Sequence, residues 1–109
     1  MKIAIQTNDK ETVGENFGRA LYYAVFDTET GQFTFLSNGE NAAAAHGVGI
    51  QAGALMSREG VDVVLSYHVG PKAGDILQQI GVEIFTLPRD RQPLTLREAV
   101  DLYLKELPA

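Results

Sequence analysis

The chain has 109 residues, 45% of them hydrophobic, and a formal net charge of -5, enough for one compact core and too little for two, so one domain over residues 1–109 is expected. The acidic balance argues against a nucleic-acid partner, which needs a broad basic surface, while a local basic pocket for a small anion stays open. With no Cys the chain alone builds neither a disulfide nor a thiolate-held metal site, and no stretch nears the roughly 20 apolar residues of a membrane span, so a cytoplasmic protein with no membrane partner is predicted.

Residues 2–7 read as a short apolar strand, followed by a polar segment at 8–14 that carries Asp9 and Glu11. Residues 21–27 and 32–37 are rich in aromatic and β-branched side chains and flank T-E-T-G, which predicts a β-hairpin. The period then changes. Val48, Ala52, Leu55 and Met56 share one face of a helix, with Gly60 where a C-terminal cap belongs. The nearly unbroken apolar run at 61–65 predicts a central strand covered on both faces. Ala73, Ile76, Leu77 and Ile80 predict a second helix stopped by Gly81, and residues 82–86 a last strand. Thr95 and Glu98 form a capping box ahead of a third helix carrying Ala99, Val100, Tyr103, Leu104 and Leu107 at helical spacing.

This order predicts an α/β fold. The expected form is a three-layer sandwich of ribonuclease-H-like or flavodoxin-like type, with a mixed five-stranded sheet and three helices. The first three strands run antiparallel, and the last two run parallel to strand one through right-handed crossovers. Ligands of such sheets sit at the carboxyl ends of the strands, which selects the loops at residues 8–19, 41–49 and 66–72 and predicts that they converge on one crevice.

Within these loops, Gly70-Pro71-Lys72 suits a helix start whose amides and lysine favour an anion, or simply a helix start. Gly47-Val48-Gly49 with Gly53 has the spacing G-x-G-x-x-x-G after a polar loop, which does not match a dinucleotide fingerprint. Gly53 is expected to allow close helix-to-sheet packing, and Gly47 and Gly49 to open a helix start to a ligand. His46 and His68, the two histidines of the chain, are candidate metal ligands or anion contacts, since each lies at the mouth of a helix. In E-N-F-G-R-A, Phe17 is expected to anchor the loop on the core. Two readings stand for its neighbours: Asn16 and Arg19 point into the crevice, or Gly18 makes a turn and Arg19 pairs with a carboxylate such as Glu15. Catalytic patterns are absent: no G-x-S-x-G elbow and no H-x-x-x-H or E-x-x-H helix. Strand one also lacks the central Asp of a ribonuclease-H-like nuclease. A non-enzymatic protein is predicted.

The opening K-I-A-I, the E-N-F-G-R-A stretch, H-G-V-G-I-Q-A-G, G-V-D-V-V-L, G-P-K-A-G-D-I-L and G-V-E-I together resemble the dinitrogenase iron-molybdenum cofactor biosynthesis family over nearly the whole chain. That family comprises small ribonuclease-H-like domains without a nuclease site, among them nitrogenase cofactor carriers and orange-protein-like binders of molybdenum-copper-sulfide clusters. The resemblance implies a carrier in which Phe17, Gly18 and Arg19, with Gly47, Gly49 and Gly70, surround an anionic iron-sulfur or iron-molybdenum type cluster or its precursor. It also implies partners in cluster assembly or acceptance. The family motif commonly has His where this chain has Asn16, and an amide is a poor ligand for soft metals. His46 or His68 is then the candidate ligand, or the cluster is held by hydrogen bonds and charge, with Arg19 and Lys72 facing its sulfides. The alternative is a small-molecule or anion-binding regulatory module on the same fold without metal chemistry.

Overall fold

In the computed structural model, which describes residues 1–42 and 47–107, the central strand is β1 (Lys2–Thr7), followed by the hairpin of β2 (Tyr22–Asp27) and β3 (Gln32–Ser37). After a single helical turn, α1 (Gly39–Ala42), come α2 (Val48–Arg58), β4 (Val63–Ser66), α3 (Pro71–Gln79), β5 (Glu83–Thr86), a 3-10 turn at Arg89–Arg91 and α4 (Leu96–Glu106). The sheet has five strands in the order β3-β2-β1-β4-β5. β1 pairs antiparallel with β2 and parallel with β4, while β2 pairs antiparallel with β3 and β4 parallel with β5. This is the expected mixed sheet with its three long helices. The additions are α1 and the 3-10 turn, each too short to produce a periodic signal.

Alternation in the central strands distributes side chains between two cores. Ile3 and Ile5 of β1 and Val63 and Leu65 of β4 pack with Ala99, Val100 and Tyr103 of α4. On the opposite face Ala4, Val25 and Val64 pack with Ala52 and Met56 of α2 and Leu77 of α3. All four residues of β4 are buried, which is why Val63, Val64 and Leu65 are apolar without a period of two. The edge strand β3 is mostly exposed.

Gly53 does not pack on the sheet as expected. A Cβ there would lie 2.3 Å from Ile76 Cγ2 of α3, and one at Gly49 would lie 3.2 Å from the Ala73 backbone nitrogen. The two glycines are four residues apart, hence on one face of α2, and they let α2 and α3 meet side by side rather than bringing α2 nearer the strands.

Candidate functional site

The chain leaves β1 toward β2 on one side and β4 toward β5 on the other, so a crevice opens above the carboxyl ends of β1 and β4. It has a volume of about 500 Å³ and is lined by Asn16, Gly18 and Arg19 from the lip, Val48 and Gly49 from α2, and Gly70, Pro71, Lys72 and Ala73 from α3. The three loops expected to converge thus do so in their described parts.

The lip is held from behind. Phe17 is 2% exposed and packs in the core beneath the two helices, its ring 5.3 Å from that of Tyr23, and the Tyr23 hydroxyl donates to the Phe17 carbonyl. Burial raises the pKa of that hydroxyl, keeping it a donor at any ordinary pH. Asn38, buried just after β3, donates from Nδ2 to the carbonyls of Gly18 (3.1 Å) and Ala20 (2.8 Å). Glu15 is engaged by Arg89 Nη1 at 3.3 Å and Gln92 Nε2 at 2.7 Å, not by Arg19 as one reading had it, because the segment after β5 passes beside the lip. At the base of the same loop, Asp9 accepts from the amides of Thr12 (2.8 Å) and Glu11 (2.9 Å) and from the Thr12 hydroxyl (2.8 Å). These bonds, the Thr12 amide first, hold its carboxyl well below the usual carboxylate range. Asp9 therefore shapes the loop.

Two helices begin at the crevice, and both begin without a side-chain cap or an acidic residue in the first turn. Gly47 caps α2 in the left-handed region at φ 76°, a conformation that costs an ordinary residue about 1 kcal/mol. Gly70 precedes Pro71 at φ -62°. By contrast α4, on the other face, caps itself through Thr95 and Glu98. First-turn amides without intrahelical partners, together with the helix dipole, favour an anion in front of them, and the charged side chains lining the crevice, Arg19 and Lys72, are both cations.

Of the candidate residues, Asn16, Gly18, Arg19, Gly49, Gly70 and Lys72 line the crevice, Phe17 supports it from the core, and Gly47 caps the helix that forms one wall. His68 is exposed and is not among the lining residues, and His46 lies outside the described residues. Among the described residues no group of three or more His, Cys, Asp or Glu could hold a metal ion. Sequence reasoning missed Val48, Pro71 and Ala73 as lining residues, and Asn38, Gln6 and Ser66 behind them. A polar residue directly after the apolar run of a central strand, as Gln6 and Ser66 are, was the available signal.

The family model described as dinitrogenase iron-molybdenum cofactor matches residues 1–106. An uncharacterized protein of Methanocaldococcus jannaschii is 27% identical over 107 residues, spanning 96% of this chain and 86% of that protein. Among solved structures, the apo form of the orange protein from Desulfovibrio gigas is similar with a TM-score of 0.86 at 33% identity, over 95% of this chain and 87% of its own. A candidate NifB protein from Thermotoga is similar with a TM-score of 0.80 at 27% identity, over 96% and 88%.

Proposed function

The chain belongs to the dinitrogenase iron-molybdenum cofactor family, and we propose that it is a cytoplasmic, non-enzymatic carrier whose cargo is an anionic iron-sulfur or iron-molybdenum type cluster or its precursor. The observation that carries this reading is the crevice itself, where the glycine-led starts of α2 and α3 and the cations Arg19 and Lys72 meet over about 500 Å³. Such a lining offers hydrogen-bond donors and positive charge to inorganic sulfides. It suits a complete cluster better than a bare cation, which would need protein ligands of its own. Asn16 is a poor ligand for soft metals, so cargo here is gripped by charge and N–H donors, the alternative being His46 or His68 as a direct ligand. A carrier must also release its cargo, and hydrogen bonds and ion pairs do so without a coordinate bond to break. The partners implied are the assembly protein that loads the cluster and the acceptor that takes it.

The test is anaerobic reconstitution with iron, sulfide and molybdate, followed by removal of unbound material and measurement of visible absorption and metal per chain. Coloured, stoichiometric, sulfide-dependent retention is expected, and it should fall at least several-fold in Arg19→Ala/Lys72→Ala, whose exposed side chains leave the core untouched. A colourless, metal-free protein would overturn the carrier reading in favour of a module for small anions. A thermal shift with phosphorylated metabolites would then identify the ligand, since one present at 100 times its Kd stabilises by about 2.7 kcal/mol.

A further inference from the structure

Behind the crevice lies a hydrogen-bonded node that joins its two walls. Gln6, at the end of β1, is fully buried on the face that carries α2 and α3, since its cross-strand partner Tyr23 belongs to that core. Both hydrogens of its Nε2 are used, one toward the Gly14 carbonyl at 2.9 Å and one toward Ser66 Oγ at 2.8 Å. The Gln6 carbonyl in turn accepts from the Gly14 amide at 2.8 Å, so the root of the lip is clasped twice. Ser66, 1% exposed, uses every valence of its hydroxyl: Oγ accepts from Gln6 Nε2, accepts from the His68 amide at 3.2 Å, and donates to the His68 carbonyl at 2.8 Å. Residues 66–68 lead directly into Gly70-Pro71-Lys72.

One acceptor in this node has no partner, because Gln6 Oε1 is buried without a hydrogen bond. A buried orphan acceptor is a net cost, and an apolar residue of similar volume would fill the place without it. What the amide does that such a residue cannot is link Gly14 to Ser66. We infer that Gln6 and Ser66 are positioning residues for the crevice, holding the Asn16–Arg19 lip at a set separation from the start of α3 so that Arg19 and Lys72 engage one ligand together. This rests on the carrier reading for its ligand, though its geometry can be tested without one.

The experiment uses Gln6→Met, which keeps volume and removes both donors, Ser66→Ala, and the conservative Ser66→Thr. In ligand-free protein, amide hydrogen exchange at Gly14, His68 and Gly74, whose amides are bonded to the Gln6 carbonyl, Ser66 Oγ and the Gly70 carbonyl, should quicken in Gln6→Met and Ser66→Ala and return toward wild type in Ser66→Thr. With tetrathiomolybdate as the sulfide-rich anionic probe, the first two variants should bind about tenfold more weakly at a temperature where both remain folded. The double variant should lose little more than the worse single one, because both act on one link. Unchanged exchange in both variants would overturn the inference, as would wild-type affinity in variants whose exchange has quickened. If wild type itself fails to bind the probe, the carrier reading fails while the exchange result still decides the node. Should Gln6→Met fail to fold, the Ser66 pair of variants decides it.

Discussion

A methyl group added at Gly18 would meet Val48 Cγ1 at 2.5 Å, whereas one added at Gly70 would meet nothing within 4 Å. Both glycines line the crevice, so the contrast separates fold from ligand. Gly18→Ala should lose about 1–3 kcal/mol in urea unfolding, the usual cost of overpacking. At Gly70 the backbone is extended, which Ala adopts readily, so Gly70→Ala should gain about 0.4–1 kcal/mol through the unfolded chain. Its methyl would stand in the crevice, and cluster retention should fall as stability rises. Asp9 supplies a pH prediction at the same scale. Its folded pKa lies below the ordinary value of 3.8 because the Thr12 and Glu11 amides stabilise the carboxylate. It therefore contributes stability that is fully present above that value and lost as pH falls below it toward the folded pKa. In urea titrations the advantage of wild type over Asp9→Asn should be greatest near neutral pH and should shrink on acidification below pH 3.8.

At the scale of elements, the three long helices start in two different ways. Thr95 Oγ1 accepts from the Glu98 amide at 3.1 Å, and Glu98 Oε1 accepts from the Thr95 amide at 2.9 Å, so α4 satisfies its own first turn. Thr95→Ala should cost about 0.5–2 kcal/mol of stability and leave cluster retention unchanged, because α4 covers the face opposite the crevice. Loss of retention in that variant would show that the two faces are not independent. The capping box was legible in the sequence because its parts are four consecutive residues, and the central strand β4 because its apolar run is continuous. The packing of α2 was not. Gly49 and Gly53 announce a groove on one side of α2, but whether a strand or a helix fills it depends on α3, more than twenty residues further along.

Across the whole molecule, a chain of net charge -5 brings Arg19 and Lys72 together at one crevice although they are 53 positions apart in the sequence. Both are exposed, so their attraction for an anion is open to screening. The affinity for tetrathiomolybdate, measured by titration, should fall as ionic strength rises from about 0.05 to about 0.5 M. An affinity that does not vary with salt would instead place the recognition in the half-buried apolar lining of Val48 and Ala73. No helix among the described residues is long and apolar enough to cross a membrane.

What the sequence by itself determined was local: the strands and long helices, read from periods of two and 3.6 residues, the caps, and the order that selects a mixed sheet. These follow from interactions between residues a few positions apart, so they are written in any window of the chain. Only the tertiary structure decided that Glu15 meets Arg89 and Gln92, that Asn38 holds the lip, and that Gln6 reaches Ser66 across 60 positions. Those contacts depend on strand order and on how α2 and α3 settle against each other. A buried amide finds its partners only after the sheet has closed around it, and no periodicity in the chain encodes which they will be.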